Sequence, residues 1–215
     1  MPGTAARRLA QARKIMEFDR KGLHSLILWA TRRRHEVPPG ATALPYAREQ
    51  ASSLLIIVFV TVVETVVLDL LLRGIGAPEW LRVLLLVLDL YSIVAIAAVG
   101  TGCATRPHVV TPTELRIRYG VFFDLRVPRD MIASVRLSTN YNEPGFVTLP
   151  GTRLGVAVSS QTNVVAELTA PVTVTLPLGR RAEATRIHFF TDTPAAALAA
   201  LAPRPDPAGL GRPVE

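Results

Sequence analysis

Two apolar runs set close together dictate most of what this chain can fold into. Ala51 to Leu72 is 22 residues long and Leu81 to Gly100 is 20. At a helical rise of ~1.5 Å per residue each is long enough for a hydrocarbon core of ~30 Å. The connection RGIGAPEW, residues 73 to 80, holds two Gly, one Pro and an interfacial Trp80, which suits a tight turn at a bilayer surface. A transmembrane helical hairpin over 51–100, with spans 51–72 and 81–100, is the expectation. The first run begins only after ten basic residues, so a cleavable signal peptide is not expected and the chain inserts through its internal spans.

Composition agrees with a membrane protein. Mean hydropathy is +0.32 and 49% of residues are hydrophobic, high for a soluble chain. The net charge of +7 is uneven: residues 1–50 carry 10 Lys/Arg against 4 Asp/Glu, residues 51–100 carry 2 against 4, and residues 101–215 carry 12 against 9. The basic arm has no interleaved aromatics and no recognition motif, so no nucleic-acid partner is expected. Arg32, Arg33, Arg34 and Arg48 precede the first span, and Arg106, Arg116 and Arg118 follow the second. The connecting turn offers Arg73, with Arg82 just inside the next helix. The positive-inside rule then places both termini in the cytoplasm of a multi-pass plasma-membrane protein.

Upstream, Leu9, Met16, Leu23 and Ala30 recur seven apart, with Ile15, Leu26 and Ile27 beside them and charges elsewhere. The pattern predicts a basic amphipathic helix over residues 4–34, weakened at Gly22. It suits the headgroup layer, with anionic lipid as its partner and Trp29 at the interface; the plainer reading is that its charges only set topology. EVPPGATALPYAREQ, residues 36–50, breaks any helix and reads as a linker, so that 1–50 forms an N-terminal region of helix plus linker.

From residue 105 the texture turns to strands: HVV, ELRIRY, FFDLRV, MIASVRL, FVTL, RLGVAV, NVVAEL, VTVTL and RIHFF, separated by turn residues. A self-contained antiparallel sandwich or barrel over 105–202 is expected. It closes with an Ala/Leu helix capped by Thr193 and started by Pro194, and residues 203–215 read as a disordered tail. In ELRIRYGVFFDLRV, keeping Leu115, Ile117 and Tyr119 on one face with Phe123, Leu125 and Val127 requires a three-residue loop around Gly120. That reading sets Arg116 opposite Asp124 and Glu114 opposite Arg126 on a solvated outer face, with Arg118 facing Phe122.

The run VVTPTELRIRYGVFFDLRVPRDMIASVRL resembles the opening of bacterial pleckstrin-homology-like domains that follow transmembrane hairpins. RIHFFTDTPAAALAAL is similar to that family's last strand and C-terminal helix. The resemblance covers about 105–202 and implies an α+β membrane protein, in which a seven-stranded PH-like sandwich capped by a helix serves as a non-enzymatic interaction or scaffold module. Arg129 stands where many relatives carry Trp after the proline of the third strand, so that groove's chemistry differs here. The basic pattern of lipid-binding eukaryotic relatives is missing.

Catalytic motifs are absent from the sequence: no G-x-S-x-G, G-x-x-x-x-G-K-[ST] or H-E-x-x-H occurs. Cys103 is the single cysteine and His24, His35, His108 and His188 are scattered, which gives no metal or cofactor reading. His188 reads as an exposed strand residue, and Asn140 to Glu143 as a polar loop. Arg118 and Arg129 remain as candidate contact residues. The hairpin itself contains Glu64, Asp69 and Asp89. Asp69 pairs with Arg73 at i,i+4. Glu64 lies nine residues from Arg73 and Asp89 nine from Trp80, both about 13 Å below the turn. The expectation is that this level pair shares a proton, within one hairpin or between copies, as a lock between helices. Two further readings stand beside the interaction module: an oligomeric assembly handling protons or cations through these carboxylates, and an accessory subunit of an envelope complex bound to other membrane proteins.

Overall fold

The computed structural model describes residues 24–31, 35–177 and 179–202. Two long helices, α1 (Ala47–Gly74) and α2 (Glu79–Thr105), pack against each other as an antiparallel hairpin. Both are long and apolar enough to cross a membrane. Their apolar side chains face outward, Leu55 and Phe59 being 69% and 68% exposed. A surface of that kind in water is unsustainable, so the outward faces call for lipid or protein cover. Each helix overruns its apolar run at the end remote from the turn, by four residues before Ala51 and five after Gly100.

Among the described residues, nine strands form two sheets: β1 (Thr42–Leu44), β2 (His108–Val110), β3 (Glu114–Tyr119) and β4 (Phe123–Pro128) in the order β1-β2-β3-β4, and β5 (Ile132–Asn140), β6 (Val147–Thr148), β7 (Arg153–Val156), β8 (Thr162–Thr175) and β9 (Arg181–Phe189) in the order β5-β8-β9-β7-β6. Leu115, Ile117 and Val127 of the first sheet share one core with Leu154, Val164, Val174, Ile187 and Phe189 of the second. Helix α3 (Pro194–Leu201) adds Ala197 and Leu201 to that core. Thr193 stands at its N-cap and Pro194 in its first turn as expected, although the threonine side chain makes no capping hydrogen bond.

Three expectations need correction. The linker is not only a linker: residues 42–44 form β1, which pairs antiparallel with β2 as Thr42↔Val110 and Leu44↔His108. The helical hairpin is therefore an excursion between two neighbouring strands, and the β-domain begins before the two long helices rather than at residue 105. Second, the sandwich is not purely antiparallel, because β7 runs parallel to β9. The chain leaves β7 through a tight turn at Ser159 and Ser160, both at positive φ, and β9 later inserts between β7 and β8. Third, NVVAEL and VTVTL are one strand, β8, with a register shift between Glu167 and Val172 that absorbs Pro171.

The β3–β4 hairpin has the expected inward set and three-residue loop: Leu115↔Val127, Ile117↔Leu125 and Tyr119↔Phe123. Its outer face differs by one diagonal step. Arg116 lies opposite Arg126, and Arg118 lies opposite Asp124. The pairs Arg116–Asp124 at 2.5 Å and Arg126–Glu114 at 3.7 Å form across the diagonal, which long side chains can span.

The ends of the long helices are built into the sandwich. Tyr46, the N-cap residue of α1, is fully buried, accepts a hydrogen bond from the Gly120 amide at 2.8 Å and stacks on His108. Gln50 Nε2 donates to the Tyr119 hydroxyl at 3.1 Å. The Arg48 amide, one of the unpaired donors of the first turn, bonds Asp192 Oδ2 at 3.3 Å, so a distant loop caps the helix. At the other helix, Thr101, Gly102, Cys103 and Thr105 are buried against the domain. Gly120 sits at φ +50, and a Cβ there would come within 3.2 Å of Cys103 Sγ. Only glycine allows both that backbone conformation and that approach.

Candidate functional site

The β3–β4 turn, the end of α2 and the segment before β1 enclose a cleft of about 680 Å³, lined by His24, His35, Glu36, Arg106, Arg116, Arg118, Asp124 and the turn residues Gly120–Phe123. Its position follows from local sequence. Arg106 is the C-cap of α2, where the apolar run has ended and the chain turns into β2. Arg116 and Arg118 alternate outward on β3 because Leu115, Ile117 and Tyr119 take the core. The His35 amide donates to Thr105 O at 2.9 Å, drawing residues 35–36 over the outer face of the sheet.

That cover buries what the sequence placed in solvent. Arg118 is 1% exposed. Its Nη1 donates to His35 O at 2.9 Å and its Nη2 to Glu36 O at 3.2 Å. Its backbone amide donates to His108 Nδ1 at 3.0 Å. His108 Nε2 lies 2.9 Å from Phe190 O. Because Nδ1 accepts an amide proton and Nε2 faces a carbonyl, the imidazole is the neutral Nε2–H tautomer. Burial pushes its pKa down to about 4.

The charges divide unequally. Arg116 bonds both Asp124 and Glu36, at 2.5 and 2.8 Å, and these contacts raise its pKa and hold Glu36 below the usual carboxylate range. Arg118 approaches Glu36 at 3.6 Å and Asp124 at 4.0 Å. Arg106, only 8% exposed, has no ion pair among the described residues, and its Nε, like that of Arg118, lacks a hydrogen-bond partner. Burial lowers its pKa first and foremost. Among the described residues, three guanidiniums thus face two carboxylates. The surplus positive charge belongs to Arg106. Burial first, and then the Arg106 charge, lower the His35 pKa below its ordinary value.

The other candidates fall elsewhere. Arg129 caps α3, its Nη1 and Nη2 donating to Ala200 O at 2.6 Å and Ala202 O at 3.1 Å, so it is tied to the C-terminal helix. The Arg48 side chain is exposed. Arg32, Arg33 and Arg34, most of the expected 4–34 helix and the 203–215 tail lie outside the described residues; residues 24–30 are helical. His188 is half-buried rather than exposed, and both its ring nitrogens are buried without a hydrogen bond. Glu143, expected in a polar loop, is 3% exposed and ion-paired to Arg153, with Asn140 Nδ2 donating to it at 2.7 Å.

Within the helical hairpin, Asp69 accepts Arg82 at 2.9 Å and Arg73 at 2.8 Å. Asp89 accepts the Thr65 hydroxyl at 2.9 Å. Glu64 is exposed on the flank of α1 and makes no hydrogen bond or ion pair among the described residues. The Glu64–Asp89 pair is therefore not made inside one hairpin, because Thr65, one residue on, occupies the position facing α2.

Sequence reasoning does not single out Arg106, His35 and Glu36 as site residues. The one signal for them is Arg106 itself, the first charge after the second apolar run. No grouping of three or more His, Cys, Asp or Glu suited to a metal occurs among the described residues. No family model, curated protein or solved structure matches this chain.

Proposed function

We propose that the protein is a membrane-anchored, non-enzymatic interaction module: a PH-like sandwich held against the cytoplasmic face of a bacterial plasma membrane by a two-helix hairpin, with both termini cytoplasmic. The observation that carries this reading is the way the anchor enters the domain. Tyr46, Gln50, Thr101, Cys103, Thr105 and Arg106 are buried where the long helices meet the sandwich, which gives the domain one orientation relative to the helices. A tethered catalytic domain needs no such attachment, whereas a surface presented at fixed height and angle does. Arg106, Arg116 and Arg118 lie at the domain end and Arg73 and Arg82 at the turn, in keeping with a cytoplasmic domain. The PH-like assignment is supported by the 105–202 motifs, the two facing sheets and the closing helix.

Two measurements test it. In spheroplasts, a membrane-impermeant maleimide should label Ala77→Cys in the turn and leave Arg181→Cys untouched until lysis; the reverse pattern overturns the topology. In nanodiscs with headgroup spin-labelled lipid, the amides of 120–122 should broaden more than those of 112–113 at the opposite end of β3. Equal broadening refutes the fixed orientation.

Glu64 favours a second reading, an oligomeric assembly. A carboxyl exposed on the flank of a spanning helix is strongly disfavoured in lipid and calls for a partner on that face, here a second copy. Disulfide formation between Glu64→Cys chains in a Cys103→Ser background supports it. Reaction only at positions on the opposite face, such as Val62 or Val66, refutes it.

A further inference from the structure

The cleft at the end of α2 has more positive charge than its own carboxylates answer. Arg106 is nine-tenths buried, lines the cleft, and has neither a counter-ion nor a partner for its Nε among the described residues. A guanidinium withdrawn from water without compensation is unfavourable, and its planar fork matches the oxygens of a carboxylate or a phosphate. Glu36 and Asp124 are already engaged by Arg116 at 2.8 and 2.5 Å, and they reach Arg106 only through longer-range attraction, with no ion pair to it among the described residues. His35 and His24 meet edge to face with centroids 5.9 Å apart and supply further donors.

The geometry points to a phosphate-binding site centred on Arg106, with His35 and Arg118 as its flanking donors, filled by the phosphoryl group of an anionic lipid. The volume of about 680 Å³ accommodates a phosphoglycerol headgroup. Val121 and Phe122 on the rim offer apolar surface, and Arg106 ends the apolar helix, the level at which a headgroup would sit. This inference rests on the membrane-anchored reading above. A soluble phosphate ester offers the same phosphoryl chemistry, so the test separates the two sources.

The full chain is placed in nanodiscs of phosphatidylcholine alone or with phosphatidylglycerol. Native mass spectrometry after detergent release counts retained phosphatidylglycerol, and ¹³C-histidine NMR follows His35 while sodium phosphate or glycerol 3-phosphate is titrated into the phosphatidylcholine sample. One retained phosphatidylglycerol, an upward shift of the His35 pKa with that lipid, and a loss of ten-fold or more in Arg106→Gln establish the lipid-filled site. Arg106→Lys should recover part of the binding, and Arg181→Gln, remote from the cleft, should change nothing. Saturation by glycerol 3-phosphate with no retained lipid overturns the lipid source and keeps the phosphate site. Absence of both, or retention that ignores Arg106, overturns the site itself. Maleimide topology and lipid broadening do not depend on Arg106, so the anchored reading stands or falls separately from the phosphate site.

Discussion

Acidification should unlock the β-domain through His108. The imidazole is buried between Tyr46 and Phe189, accepts the Arg118 amide at Nδ1 and donates to Phe190 O from Nε2. A second proton would remove the acceptor and place a charge beside Arg118. In the folded state the pKa falls to about 4, whereas an unfolded histidine titrates near 6.5. The folded group is thus the weaker base, and the unfolded chain takes up the proton first as pH drops. Stability from this source is intact above about pH 6.5 and is lost progressively toward pH 4, with nothing further lost below. A difference of about 2.5 units at ~1.4 kcal/mol each amounts to about 3 kcal/mol. That is a large part of the ~5–15 kcal/mol typical of a domain. Urea unfolding of the full chain in micelles, followed by circular dichroism of the sheets at pH 7.5, 6, 5 and 4, reads the slope, and NMR of labelled histidine reads the pKa directly. His108→Gln should be less stable at neutral pH, because it leaves the buried Arg118 amide unpaired, and it should show a flatter profile. A His108 resonance titrating near 6.5 in the folded protein, or parallel profiles for the two proteins, would refute the reasoning.

Removing the Tyr46 hydroxyl with Tyr46→Phe leaves the buried Gly120 amide without its acceptor; urea midpoints should report a loss of about 1–3 kcal/mol. A fragment of residues 105–202 lacks β1 and Tyr46 and should aggregate or give weak sheet signal in circular dichroism, in buffer or in micelles, whereas a chain retaining 40–202 should give full sheet signal in micelles. Ser160 occupies φ +60, so Ser160→Gly should relieve ~1–2 kcal/mol of left-handed strain against ~0.5–1 kcal/mol of added chain entropy, a net gain measurable as a raised midpoint at unchanged slope. Arg129→Ala removes both guanidinium bonds to the end of α3; hydrogen exchange over 198–202 should accelerate, with about 1–2 kcal/mol lost.

Elements marked by a local signal are readable in the sequence. The apolar runs, the inward set of the β3–β4 hairpin and Pro194 at the start of α3 all follow from periodicity or backbone chemistry that acts within a few residues. What depends on distant partners is not. Thr42–Leu44 carries no strand signature of its own and becomes a strand because β2, more than 60 residues later, offers an edge. RAEAT in β9 escapes the periodicity because its inward positions are Ala182 and Ala184, small residues that fit beside the long β8 and leave a weak hydrophobic pattern. Arg118 looks solvated in the sequence since alternation says only that it leaves the core; that His35 and Glu36 lie over that face is fixed by a hydrogen bond to Thr105 from another part of the chain.

The acids of the helical hairpin show the same division between position along the axis and direction around it. Counting residues from the turn gives depth reliably, because rise per residue is nearly constant at ~1.5 Å. Direction around the axis changes by ~100° per residue, so an uncertainty of one position is enough to send a side chain from the helix interface to the outer surface. Thr65 and Glu64 are neighbours in sequence, and it is Thr65 that meets Asp89 across the hairpin. Thr65 also lies 2.8 Å from Thr61 O, one hydroxyl shared between its own helix and the carboxylate of the next. The Asp69–Arg82 contact, nearer the turn, crosses the same interface and fixes the same rotation of α1. With two contacts holding that rotation, Glu64 cannot turn inward without breaking both. Its carboxyl therefore stays on the exposed flank of α1, outside the interface between the two helices.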